Sequence, residues 1–228
     1  MNPLQRHQLV WLDARAWQRI LAVSNETPAW DSQALACLQH WAGRDLPLVV
    51  TRQPQGWSGQ RAEEALALGV AAPLGWARRR LFVEARFADV QRRGQFPHPR
   101  DISAMLPPQA IKGWTALCSG LQTLGAESRV YGSYGWQQVT GMAYVRDSSD
   151  IDLLVTVATS RRADAVSALL DRTAFEVPRL DGEIVFDDGA AVAWREWAAW
   201  RAGSAAQVLV KRVSGAALET ADSWRVAT

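Results

Sequence analysis

Lysine is nearly missing from this chain: of 25 basic residues only Lys112 and Lys211 are lysines, and every other cation is an arginine. The formal net charge is only +2, so the totals carry no strong nucleic-acid footprint. No zinc-ligand, helix-turn-helix or RNP pattern appears either, and nucleic acid is not an expected partner. Cysteine is scarce too. Cys37 and Cys118 stand alone without CxxC spacing, which suits two thiols in a reducing compartment better than a disulfide scaffold. His7, His40 and His98 are scattered singly, so no soft-metal cluster is written in the sequence.

Long apolar runs are also lacking. Asp13 and Arg15 interrupt the opening stretch before any secretory h-region develops. The best later run, LALGVAAPLGWA at 66–77, is too short to span a bilayer and contains Pro73 and two glycines. These absences point to a cytoplasmic location with no membrane partner. Internal repeats and low-complexity tracts are absent as well.

What remains is a globular composition: 228 residues, 48% hydrophobic and 21% charged, enough for a proper core. Twelve tryptophans run from Trp11 to Trp224 without forming one stripe, and core packing is their expected role. Trp136 is singled out because it lies beside the candidate site described below.

Residues 92–108, RRGQFPHPRDISAMLPP, hold four prolines in a polar setting and read as a connection. They divide the chain into residues 1–92 and 93–228. The first part reads as a small mixed α/β unit, with helices at 13–24 and 31–42, an extended stretch at 47–52, a helix at 61–70 and a strand at 78–87. In the second, Ile111, Trp114, Leu117, Cys118, Leu121 and Leu124 recur at helical spacing after Pro107-Pro108, with Gly125 as a stop. Strands follow at 128–132, 151–157, 183–186, 191–194 and 207–213, with a helix carrying Ala163, Val166, Leu169 and Leu170 between the second and third. Asp187-Asp188-Gly189 is a turn signal. The fold class is α/β (α+β), the second part a mixed sheet flanked by helices.

Chemistry concentrates in RVYGSYGWQQVTGMAYVRDSSDIDLLVTV, residues 129–157. Alternation along a strand places Asp150 and Asp152 on one face and turns Ile151 into the core. Two carboxylates so close repel, the more so if buried, and require a cation between them. With no nitrogen or sulfur ligands near, the fitting ion is Mg2+ or Mn2+, which such sites share with substrate phosphates. Gly132 lets the backbone approach a ligand closely, and the amides opening the next helical turn, with the Ser133 hydroxyl, suit phosphate oxygens. Strand, Gly-Ser turn and carboxylate pair together describe a phosphoryl-transfer site.

Gly-Ser followed by DxD resembles the DNA polymerase β-like nucleotidyltransferase superfamily. The fuller pattern, RVYGSYGWQ, TG, YVR, SDIDLL, then LDGEIVF, AVAWREW and VLVK, resembles the malonate decarboxylase holo-acyl-carrier-protein synthases, the phosphoribosyl-dephospho-CoA transferases. The resemblance extends over both parts, with its distinctive motifs in residues 129–212. It implies a polymerase β-like nucleotidyltransferase domain at 93–228 and an N-terminal α/β domain that binds substrate or carrier protein. It also implies a reaction: the phosphoribosyl-dephospho-CoA part of 2'-(5''-triphosphoribosyl)-3'-dephospho-CoA passes to a serine of the apo acyl carrier protein of malonate decarboxylase, and diphosphate leaves.

On that resemblance Asp150 and Asp152 hold the metal, and Gly132 with Ser133 grips the triphosphate. A third carboxylate from a neighbouring strand is expected to complete the set; Glu183 is the choice, with Asp181 and Glu196 behind it. Lys211, mid-strand, and Arg146, just ahead of the aspartates, are candidates to face the diphosphate. Tyr134 and Trp136 would stack on adenine or line the pantetheine path if packing did not claim them. Arg78-Arg79-Arg80 and Arg161-Arg162 read as solvated faces or as runs that steer an acidic carrier protein. Two other readings stand beside this one: a nucleotidyltransferase with another acceptor, and a carrier-protein-binding module without catalysis.

Overall fold

The computed structural model describes residues 4–26, 30–54, 56, 64–173 and 177–220. The chain divides into two compact units, Met1–Gln95 with Met142–Tyr144, and Phe96–Gly141 with Val145–Thr228. No described helix is long and apolar enough to cross a membrane.

The first unit is built on β1 (Leu9–Leu12), β2 (Leu48–Val50), β3 (Ala65–Ala71), β4 (Arg80–Arg86) and β5 (Val90–Gly94), in the order β4-β3-β2-β1-β5. Every pairing is antiparallel. Helices α1 (Ala14–Glu26) and α2 (Ser32–Gly43) intervene between β1 and β2. Asp31 caps α2 by accepting from Ala34 N–H at 2.9 Å, and Arg79 binds the same carboxylate. One member of the arginine run is thus engaged in capping, while Arg78 and Arg80 are exposed.

Three features of this unit depart from the sequence reading. The helix read at 61–70 is strand β3 from Ala65 onward; residues 61–63 lie outside the described residues. Alanine, leucine and glutamate favour helix, but Ala65–Val70 is buried at every position, and a helix has no such unbroken apolar run to offer a single neighbour. Pairing with β4 over all seven residues decides the matter. Strand β1 has no counterpart in the sequence reading. Arg92, Arg93 and Gly94, assigned to a connection, form β5 against β1, with the Arg92 guanidinium 4.0 Å above the Trp11 ring. An edge strand needs a backbone partner on one side only and little apolar alternation, so its composition looks like a loop.

The second unit contains α3 (Pro108–Thr123), β6 (Glu127–Tyr131), α4 (Gly132–Thr140), β7 (Ile151–Val157), α5 (Ser160–Thr173), β8 (Leu180–Phe186), β9 (Ala191–Ala193), α6 (Trp194–Arg201), β10 (Val208–Arg212) and β11 (Gly215–Glu219). The sheet runs β11-β10-β9-β8-β7-β6 and is mixed: β7 and β8 are parallel, joined through α5, and the other pairs are antiparallel. Edge strand β11, mostly exposed, is absent from the sequence reading for the same reason as β5.

Alternation governs the sheet. Ile151, Leu153, Val155 and Val157 join Leu180, Ile184 and Phe186 in a core with Trp114, Leu117 and Leu121 of α3, Val166 and Leu170 of α5, and Trp194 and Trp197 of α6. Side chains at even positions of β7 and odd positions of β8 therefore leave the other face, opposite these helices. Gly125, at φ +61°, closes α3 as expected. Trp136 is buried with its ring edge-on to Phe96 at 5.3 Å, and Tyr134 is buried too, so both are packing residues here. Trp224 lies outside the described residues. Arg162 donates to the Leu124 carbonyl, which gives half of the second arginine run a structural duty. Cys37 is buried and Cys118 half-buried, both free, and burial raises the Cys37 thiol to about 11.

Candidate active site

Strand β6 ends at Tyr131, directly opposite Asp152 in the antiparallel register, and α4 starts on the next residue. Gly132 makes that corner at φ +60°, where a side chain is disfavoured. The more specific demand is space. A Cβ on Gly132 would stand 1.8 Å from Asp152 Oδ2, so the Asp152 carboxylate lies against the bare glycine Cα at the mouth of α4. No side chain caps that helix end, and Ser133 sits half-exposed in its first turn.

The parallel register of β7 and β8 sets Asp181 opposite Asp152 and Glu183 opposite Leu154. Both acidic residues of β8 share the Asp152 face, but Asp181 is the one in line with it. Asp150, one residue ahead of β7, meets the same group through Arg179: Arg179 Nη2 is 2.6 Å from Asp150 Oδ2 and 3.5 Å from Asp181 Oδ2. The cation that paired aspartates require is, in this structure, a guanidinium. Arg179 lies outside every motif of the sequence reading, and only the β7–β8 register brings it beside Asp150.

Glu183 and Lys211, chosen from sequence for opposite partners, bind each other at 2.8 Å, with the Glu183 side chain only 6% exposed. They stand on β8 and β10, and the intervening strand β9 offers Ala193 opposite Glu183 and Ala191 opposite Lys211. Two methyl groups leave a lysine room to cross a strand. Glu196 is exposed in the first turn of α6, on the helix side of the sheet, away from the aspartates. Arg146 is exposed in the turn before β7, where its backbone N–H bonds Ser149 Oγ. Asp187 and Asp188 are turn residues, Asp188 accepting from Ala190 N–H.

Burial, then Asp181, Asp150 and Glu183 in that order, raise the Asp152 carboxyl from its usual 3.8 to about 6, with Arg179 opposing. The folded chain therefore holds a proton there that the unfolded chain releases near pH 4. Stability of the metal-free protein should fall as pH rises from about 4 to about 6, by on the order of 2 kcal/mol. Urea unfolding of wild type and Asp152→Asn in EDTA, compared across that window, isolates the effect: the difference between them should shrink at low pH and open at high pH. Gly132→Ala supplies a second check. The added methyl displaces the Asp152 carboxylate and sits at a positive φ, so turnover should drop about 10²-fold and the Tm should fall by several degrees, with a cooperative transition retained because the clash is with a side chain and not with backbone.

Two clefts lie elsewhere, one of about 250 Å³ lined by Arg19, Glu84 and Asp89 in the first unit, the other of about 430 Å³ lined by His98, Arg100 and Cys118 in the second. Neither is lined by Asp150, Asp152 or Asp181. Among the described residues no three His, Cys, Asp or Glu side chains converge as a ready metal cage. Asp150 and Asp181 converge on Arg179 instead.

Residues 5–96 match the phosphoribosyl-dephospho-CoA transferase MdcG N-terminal domain, and residues 98–222 match the C-terminal domain of the same family. The chain belongs to the phosphoribosyl-dephospho-CoA transferase family. Relatives carrying that name include one from Xanthomonas campestris, 36% identical over 93% of this chain and 92% of its own. Another from Azotobacter vinelandii is 33% identical over 97% of this chain and 94% of its own, and one from Bradyrhizobium diazoefficiens is 29% identical over 93% and 88%. No solved structure matches. Within the transferase family's C-terminal domain fall Gly132, Ser133, Asp150, Asp152, Arg179, Asp181, Glu183 and Lys211.

Proposed function

We propose that this chain transfers the phosphoribosyl-dephospho-CoA group of 2'-(5''-triphosphoribosyl)-3'-dephospho-CoA to a serine of the apo acyl carrier protein of malonate decarboxylase. The serine Oγ–P bond forms, the P–O bond to diphosphate breaks, and the serine proton leaves. The observation that carries this reading is Asp152 seated on Gly132 at the start of α4, in line with Asp181 and near Asp150, in a chain of this transferase family. Such an arrangement presents backbone N–H groups to phosphate oxygens beside a set of oxygen-only donors.

Those donors fit Mg2+ or Mn2+, with Asp150, Asp152 and Asp181 as the holding residues; the ion when bound neutralises charge on the phosphates. Asp181 takes the third place in preference to Glu183, because Glu183 is already neutralised by Lys211. Asp181, opposite Asp152 on the neighbouring strand, accepts the serine proton. Ser133 and the first turn of α4 orient the triphosphate. The polymerase β-like superfamily, the first unit as a binding domain and a cytoplasmic location complete the proposal.

Incubating the enzyme and Mg2+ with labelled triphosphoribosyl-dephospho-CoA and apo carrier protein tests it. The carrier should gain the mass of the prosthetic group, and a carrier with its serine changed to alanine should gain nothing. Labelling from ATP instead, or equal labelling of the serine-less carrier, would transfer the case to a nucleotidyltransferase with another acceptor.

A further inference from the structure

Arg179 combines a fixed backbone with an exposed side chain. Its carbonyl accepts from Ile151 N–H at 2.8 Å, which pins it beside the residue between the two aspartates of the DxD pair. The side chain, in contrast, is 59% exposed and, among the described residues, is held by carboxylates: a hydrogen bond to Asp150 and a longer ion pair to Asp181. Such an exposed pair is weak and readily exchanged. A guanidinium is also a planar fork that fits phosphate oxygens as well as carboxylates.

A divalent cation would compete with Arg179 for the oxygens of Asp150 and Asp181, since two positive groups within contact distance repel. We propose that Arg179 is a substrate-binding residue that occupies these carboxylates in the substrate-free enzyme and turns onto the triphosphate when substrate arrives with its metal. This rests on the transferase reading given above. In the resting state Arg179 keeps the acidic cluster compensated. On substrate binding it exchanges carboxylate partners for phosphate partners, so that its charge counts on both sides of the exchange. The enzyme then takes up free metal poorly and metal with triphosphate well.

Equilibrium titration decides this without any turnover. Mn2+ is titrated into substrate-free wild type, Arg179→Gln and Arg179→Lys with free Mn2+ read by electron paramagnetic resonance, and inorganic triphosphate is then titrated at saturating Mn2+. Arg179→Gln should bind Mn2+ alone about three- to tenfold more tightly than wild type. It should bind triphosphate about tenfold more weakly. Arg179→Lys, which keeps the charge and loses the fork, should fall between on both measures. A damaged fold weakens both affinities, so a gain in one with a loss in the other cannot come from damage. Equal Mn2+ affinity in wild type and Arg179→Gln, or an unchanged triphosphate affinity, overturns the exchange while leaving the transferase reading intact. A wild type that binds neither ligand overturns both. Wild type that shows the exchange yet modifies no carrier protein overturns only the acceptor assigned above.

Discussion

Asp152→Asn is expected to abolish group transfer, by about a thousandfold or more, while the protein folds at least as well as wild type. The side chain is central to the acidic set: opposite Asp181 across β7–β8, two residues from Asp150, and against Gly132 at the opening of α4. Asparagine keeps the shape and one oxygen but removes the charge that the proposed phosphate-bound cation needs. Stability moves the other way. Burial and three neighbouring carboxylates disfavour the Asp152 charge above about pH 6, so its removal relieves repulsion in the metal-free chain. The decisive measurement is a pair at pH 8: single-turnover labelling of the carrier protein and a thermal melt in EDTA. Lost labelling with a raised or equal Tm supports the site; retained labelling removes Asp152 from the chemistry.

Gly182→Ala should leave little folded protein. Gly182 sits on β8 between Asp181 and Glu183 at φ +139°, a conformation that glycine alone adopts readily. An alanine Cβ would stand 2.0 Å from the Leu153 carbonyl oxygen and 2.6 Å from the Leu153 nitrogen. Both are backbone atoms of β7, so no rotamer change relieves the overlap. The strands would have to separate along the parallel ladder that joins the two halves of the sheet. A cost above about 4 kcal/mol is large against a typical total of about 5–15 kcal/mol. Thermal denaturation should show a Tm lower by more than about 10 °C, or no cooperative transition. Gly189→Ala, at φ +82° in an open turn with nothing within 4 Å, is the control and should cost far less. A Gly182→Ala protein melting within a few degrees of wild type would refute the argument.

What the sequence discloses depends on whether a residue's partner is local. Alternation in IDLLVTV declares β7, its inward face and the pairing of Asp150 with Asp152, because period two needs only neighbours along the strand. The Gly-Ser corner is legible for the same reason. Helix α3 is legible through its proline start and apolar stripe, although Ile111, part of that stripe, is 38% exposed. Strand β3 is illegible because alanine, leucine and glutamate speak for helix until a partner strand covers them.

The third carboxylate shows the limit most clearly. Asp181 and Glu183 have the same parity, so sequence cannot separate them; the register of β8 on β7 sets Asp181 opposite Asp152 and Glu183 opposite Leu154. Lys211 had a reason to lie mid-strand, and the reason is Glu183, two strands away across the alanines of β9. Arg179 carries no motif at all, and its position follows from where β8 begins.

The scarcity of lysine has a practical outcome once Lys211 is seen bound to Glu183. Lys112 is then the side-chain amine left open to acylating reagents among the described residues, on an exposed turn of α3. That helix covers the opposite side of the sheet from the aspartates. A fluorophore or sensor surface coupled through that lysine would therefore attach on the far side of the sheet from Asp152, Asp181 and Glu183.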